Sequence, residues 1–149
     1  MAVLVNSVDA IDLLIKSGAS LTYANDPFFP SYMHYAVLRN FNIVKSLLRH
    51  GAKFDTKNVR GETPLCSATK YGSVINVNLL ISYGADISVK DLDGNNLLHC
   101  AALEERFGII KTLIEFGISF DAKNLKGFTP LESALMKNLR TAKAFMFFK

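Results

Sequence analysis

The sequence predicts an all-α solenoid of stacked helix-turn-helix units with short β-hairpin projections, and three observations predict it. First, Leu-Leu-Ile-Lys-Ser-Gly-Ala at 13–19 returns as Leu-Leu-Arg-His-Gly-Ala at 47–52, Leu-Ile-Ser-Tyr-Gly-Ala at 80–85 and Leu-Ile-Glu-Phe-Gly-Ile at 113–118. Its glycines, Gly18, Gly51, Gly84 and Gly117, stand 33 residues apart. Second, Gly61, Gly94 and Gly127 keep the same period, ten residues after the first series. Third, Thr63-Pro64-Leu65-Cys66 matches Thr129-Pro130-Leu131-Glu132, with Asn96-Leu97-Leu98-His99 and Ser31-Tyr32-Met33-His34 as looser copies. Self-similarity at a fixed period of this length is the mark of a repeat architecture, in which one unit cannot bury its apolar face without a neighbour.

Each element of the unit has a physical reason. Thr then Pro starts a helix, because the hydroxyl can bond a free amide of the first turn and Pro sits where no amide partner is needed. The small residues that follow, Ala101-Ala102 or Ala68-Thr69, allow two antiparallel helices to approach closely. Ile43, Val44, Leu47 and Leu48 fall on one face of a second helix. Gly51 and its equivalents end that helix, since Gly tolerates positive φ. Gly61 and its equivalents sit in a turn within a short extended stretch such as Asp55–Gly61, giving a projecting hairpin.

Composition sets the class. The chain has 149 residues, half of them hydrophobic and a fifth charged, which suits one soluble domain. No run approaches the ~18 apolar residues of a membrane span, and Met1–Val5 lacks the basic stretch that opens a secretory signal. Cys66 and Cys100 are too few for a disulfide framework, so the expected location is intracellular and reducing, cytoplasmic with the nucleus also open. The net charge of +4 is unevenly placed. Arg39 to Lys70 and Ala122 to Lys149 are basic, whereas the first 38 residues and Tyr71 to Asp121 are acidic. A nucleic acid prefers one continuous basic track, so alternating blocks point to a protein partner.

On these motifs the chain resembles the ankyrin-repeat family, whose pattern is D-x-x-G-x-T-P-L-H-x-A-A, then I-V-x-x-L-L, then G-A-D. The resemblance covers essentially the whole chain. It implies a single domain over 1–149, with a partial repeat at about 1–18, near-complete repeats at 19–51, 52–84 and 85–117, and a last one at 118–149. Repeat two departs from the pattern at Asp26-Pro27-Phe28-Phe29-Pro30, where the hairpin is one residue longer and lacks the turn Gly. It also has a shortened inter-helix turn at Arg39-Asn40-Phe41-Asn42, and Ala134–Leu139 shares that shortening. Asn76 takes a usually apolar slot in repeat three.

The residues that could carry chemistry have structural readings. His34 and His99 fall in the T-P-L-H slot, where the resemblance implies a hydrogen bond to backbone between repeats. His50, beside a helix C-terminus, is favourably placed for a partly positive ring. One His per repeat is not a convergent metal or catalytic cluster. Cys66 takes the His slot of repeat three as a small half-buried group. Cys100 follows His99, and adjacent helical residues point about 100° apart, poor geometry for a Cys–His nucleophile. A metal or an oxidised bridge shared by the two cysteines lacks further ligands. Asp91 reads as a turn stabiliser, and Asp93, Glu104 and Glu105 as solvated. The turn glycines are isolated, so no phosphate loop is formed. No enzyme activity, cofactor or metal is expected.

Function is therefore sought on the surface. The resemblance implies a non-enzymatic protein-binding module that uses the concave face of hairpin tips and first helices. By position the candidates before the turn glycines are Val59-Arg60, Leu92-Asp93 and Leu125-Lys126, and those after them Glu62, Asn95 and Phe128. On the first helices the exposed pairs are expected to be Leu38-Arg39, Lys70-Tyr71, Leu103-Glu104 and Met136-Lys137. Val59, Leu92 and Leu125 form an apolar row that Phe28, Phe29 and Phe128 extend, flanked by alternating charges at Arg60, Asp93 and Lys126. An apolar centre with a polar rim suits a protein interface; the competing reading is that the tips merely pack on the next hairpin. Phe145-Met146-Phe147-Phe148, beside Lys137, Arg140, Lys143 and Lys149, cannot all face one neighbour, which makes self-association another possibility. Two narrower readings stand beside the module: a small standalone inhibitor resembling the inhibitor-of-NF-κB or viral ankyrin proteins, and the substrate-recognition part of a ubiquitin ligase or larger scaffold.

Overall fold

A computed structural model describes residues 8–18, 28 and 30–137. Phe29, the apolar Met1–Val5 start and the Phe145–Phe148 end with Arg140, Lys143 and Lys149 lie outside them, as do the expectations placed there. Eight helices occupy the described residues: α1 (Val8–Lys16), α2 (Tyr32–Ala36), α3 (Phe41–Arg49), α4 (Pro64–Tyr71), α5 (Val74–Ser82), α6 (Leu97–Leu103), α7 (Phe107–Glu115) and α8 (Pro130–Lys137).

The expected start signals operate. Thr63 Oγ1 accepts the Cys66 amide at 3.4 Å, with Pro64 opening α4. Asn96 Oδ1 accepts the His99 amide at 3.0 Å. Ser31, Asn40 and Ser73 cap α2, α3 and α5 in the same way. At α8, Glu132 Oε2 accepts the Thr129 amide at 2.7 Å while Thr129 Oγ1 accepts the Glu132 amide at 3.3 Å, a reciprocal box. Each second helix stops at a glycine of positive φ: +74° at Gly51, +91° at Gly84 and +78° at Gly117. The following amide then reaches back five residues, Ala52 to Leu47 at 3.0 Å, Ala85 to Leu80 at 3.1 Å and Ile118 to Leu113 at 3.1 Å.

Helices pair within units as α2 with α3, α4 with α5 and α6 with α7. The first helices stack as α2, α4, α6 and α8, and the second helices as α1, α3, α5 and α7. This is a two-layer, all-α repeat solenoid. Its core follows the sequence period. Ala36, Ala68, Ala101 and Ala134 are fully buried in the first layer, and Val44, Val77 and Ile110 with Leu47, Leu80 and Leu113 in the second. Truncating one of those leucines to Ala costs about 2–5 kcal/mol, because the neighbouring units cannot close on the void.

The C-terminal carbonyls of a helix have no partner within it, and here the following unit supplies one. Asn76 Nδ2 of α5 donates to the Val37 carbonyl at the end of α2 at 2.8 Å. Arg106, ahead of α7, donates from Nε to Lys70 O at 2.8 Å and from Nη2 to Gly72 O at 3.1 Å, at the end of α4. Lys137 Nζ of α8 donates to Leu103 O at the end of α6. The polar Asn76 in an otherwise apolar slot is thus explained: it is buried and holds the short turn of the preceding unit. The projections are turns rather than ladders, and among the described residues no strand exceeds a single bridge at Ser31.

Candidate protein-binding surface

The projecting turns are built by one side chain at the same register position in each unit. Asn58 Oδ1 accepts the Arg60 and Glu62 amides, both at 2.9 Å. Asp91 Oδ1 accepts those of Asp93 at 3.0 Å and Asn95 at 2.9 Å. Asn124 Oδ1 accepts those of Lys126 and Phe128, both at 3.0 Å. The expectation that Asp91 stabilises a turn is met, and Asn58 and Asn124 share the role. Their 33-residue spacing was the available signal.

The turns are also chained to one another. The Leu92 amide donates to Arg60 O at 3.0 Å and the Leu125 amide to Asp93 O at 3.0 Å. So close an approach needs glycine. A Cβ on Gly61 would lie 3.1 Å from Leu92 Cγ, and one on Gly94 2.9 Å from both Leu125 Cγ and its amide nitrogen. The tips therefore do pack on their neighbours, but through backbone. Their side chains remain open: Val59 is 54% exposed, Leu92 69% and Leu125 79%. Arg60, Asp93 and Lys126 beside them are exposed. Phe28, also exposed, extends the row at one end, with its carbonyl accepting from Asn58 Nδ2 at 3.2 Å and the Arg60 guanidinium 5.2 Å from its ring centre. Phe128 is half-buried.

The first helices present Arg39, Tyr71, Met136 and Lys137 to solvent, while Leu38, Leu103 and Glu104 are half-buried. Arg39 lies over the Tyr35 ring at 5.8 Å, and Lys137 is 3.7 Å from Glu104, which is therefore paired rather than merely solvated. Three candidates expected on the surface are corrected by burial. Asn95 is held by Asp91 Oδ2 at 3.1 Å and by Asn124 Nδ2 at 2.9 Å. Glu62 and Lys70 bond each other, with Lys70 Nζ also 3.7 Å from Asp91 Oδ2 of the next unit. The register carried a partial signal for Lys70: its equivalents Leu38, Leu103 and Met136 are all apolar, and Leu38 and Leu103 are half-buried, although Met136 stays exposed. Burial pulls Lys70 toward its neutral form, but the Cys100 sulfur, Glu62 and Asp91 outweigh this and hold it above the ordinary lysine range. Burial pushes Glu62 up, yet bonds from Lys70 and Asn58 bring it below the usual glutamate value.

The histidines do what their slot implies. His34 Nε2 donates to the Glu62 carbonyl at 3.1 Å and His99 Nε2 to the Phe128 carbonyl at 2.8 Å, each crossing to the next turn. Cys66 in the same slot makes no such crossing. Lys70 with Asp91 spans that junction instead. Cys66 and Cys100 are free thiols, both buried, and burial pushes both pKa values up. His50 is the C-cap of α3, with Nδ1 donating to Ser46 O at 2.9 Å. Among the described residues no three His, Cys, Asp or Glu side chains gather where they could hold a metal ion, and no helix is long and apolar enough to cross a membrane.

The family model describing ankyrin repeats matches residues 1–91 and 76–147, in three copies. No curated protein matches the chain.

Proposed function

The chain belongs to the ankyrin-repeat family, whose members generally serve as protein–protein interaction modules, and we propose that it binds a partner protein across its chained turn tips and the exposed side of its first helices. The observation that carries this reading is the tip row. Val59, Leu92 and Leu125 hold one register position in successive turns and keep more than half of each side chain in water, and the Leu92 and Leu125 amides tie their turns to the preceding ones. A rigid apolar strip costs little conformational entropy to bind, and Arg60, Asp93 and Lys126 along it supply an alternating charged rim. Tyr71, Met136 and Arg39 extend the surface onto the helices. The repeats run as 1–18, 19–51, 52–84, 85–117 and 118–149, forming one unit without catalytic residues or a cofactor, in a compartment reducing enough to keep both cysteines as thiols.

The experiment is affinity capture with the intact protein and with a Leu92→Asp/Leu125→Asp variant whose helical circular dichroism matches the wild type. Loss of the captured partners supports the tip row. An unchanged set of partners on a folded variant removes it.

A further inference from the structure

A second surface lies in the other layer of the stack. A groove of about 410 Å³ opens between α1 and α3, lined by Asp12, Asn42, Lys45, Ser46, Arg49 and His50. That volume falls in the range of about 300–1,000 Å³ found for clefts that enclose a ligand. Asn42, Lys45 and Arg49 are spaced three and four residues apart, so they share one face of α3.

The acid in this groove is already engaged. Asp12 accepts from Ser46 Oγ and lies 3.8 Å from His50 Nδ1, which itself donates to Ser46 O at 2.9 Å. Lys45 and Arg49 form no ion pair among the described residues; the Lys45 ammonium has the Phe41 ring 5.8 Å away. Like charges four residues apart on a helix repel, so this arrangement costs stability. The other units avoid it. In α5 the equivalent positions hold Asn78 and Ser82, both neutral. In α7 they hold Lys111 and Glu115, which pair with each other at 4.0 Å. Only α3 among these carries two cations there, and a groove runs beside them.

We propose that this groove binds an acidic peptide segment of a partner protein, with carboxylates seated on Lys45 and Arg49. The charge is complementary, and at about 410 Å³ the groove is far larger than one carboxylate. Two cations are too few to neutralise a phosphate backbone, whose binding grows with the number of phosphates contacted. The site is independent of the tip row, which projects from the turns ahead of α4, α6 and α8.

The test is fluorescence anisotropy of the full chain with a labelled tetraglutamate peptide at low salt. Wild type is expected to bind, and a Lys45→Glu/Arg49→Glu variant to lose about tenfold or more in affinity. A Lys90→Glu/Lys123→Glu variant carries the same change in net charge at exposed sites in other units, and should bind within about twofold of wild type. If circular dichroism shows the first variant misfolded, Lys45→Gln/Arg49→Gln replaces it, with a loss of several-fold expected. Absence of binding, or equal loss in the groove variant and the remote control, overturns the proposal. So does tighter binding of a phosphorylated peptide, inorganic phosphate or single-stranded DNA to the same groove, since each names a different occupant.

Discussion

The Nε2 nitrogen of His99 donates to the carbonyl of Phe128 at 2.8 Å, so a side chain in the first turn of α6 holds the projecting turn of the following unit. His34 holds Glu62 in the same way, and Ser31 Oγ donates to its Nδ1 at 2.9 Å. Both rings are buried, and burial keeps both below the ordinary histidine value of 6.5. The folded state therefore favours neutral rings. Above pH 6.5 folded and unfolded rings are alike neutral, and stability is unaffected. As pH falls below 6.5 the unfolded chain takes up protons that the folded chain resists, so stability is lost until the folded rings titrate too. We expect the urea midpoint to fall between pH 7 and pH 5, and a His34→Gln/His99→Gln variant to show a flatter dependence over that window. Each single His→Ala change should cost about 1–3 kcal/mol at pH 7, from the missing inter-unit bond and the vacated space.

Lys70 makes the junction that Cys66 cannot. Removing it by Lys70→Met leaves Glu62 buried beside Asp91 without a cation, and breaking a buried pair in this way costs about 3–5 kcal/mol. The double change Lys70→Met/Glu62→Gln removes the stranded charge as well and should recover most of that loss. A double-mutant cycle from urea melts checks it, with strong non-additivity expected. The pH window differs from that of the histidines. Glu62 sits below its ordinary value of 4.5, so its contribution is present above that pH and disappears as pH falls further.

Gly94 and Gly127 offer an internal comparison. Both have positive φ, +75° and +78°, so Ala at either pays the left-handed backbone penalty, on the order of 1 kcal/mol. A Cβ on Gly94 also meets the amide nitrogen of Leu125 at 2.9 Å, whereas one on Gly127 meets nothing within 4 Å. Gly94→Ala should therefore be more destabilising than Gly127→Ala, by roughly 1–3 kcal/mol of added strain. It should also speed amide exchange at Leu125, whose hydrogen bond to Asp93 the extra carbon displaces.

These residues also show which features were readable in the sequence. The 33-residue glycine series, the Thr-Pro starts and the histidine slot each depend on one residue meeting one backbone need, so each could be recognised singly. The tip row was readable because Val59, Leu92 and Leu125 keep a register in which side chains face out. Glu62, Lys70 and Asn95 were misplaced on the surface because a charged or amide side chain is buried only when partners from other elements converge on it. For Lys70 those partners lie eight and 21 residues away in the chain. Arg106 was missed for a similar reason: nothing local indicates that its guanidinium turns back to the carbonyls of Lys70 and Gly72.

Cys66 and Cys100 provide the remaining test, because thiol reactivity separates a structural cysteine from a nucleophile. The thiolate is the reactive form, and its fraction falls tenfold for each unit by which the pKa rises. Burial raises both groups, Cys100 well above the ordinary thiol value of 9.0, and leaves neither open to a reagent. Lys70 nearby does not reverse this, since Glu62 and Asp91 already compensate its charge. Both thiols should therefore react with a disulfide reagent at pH 8 only as fast as the native state opens, and at the rate of free cysteine once urea unfolds the chain. Lys70→Met should accelerate the native reaction by loosening the junction, although it removes the cation that would favour a thiolate. If the native protein instead reacts rapidly at one cysteine, and Lys70→Met slows it, Lys70 would be activating a nucleophile and the structural account of these residues would fail.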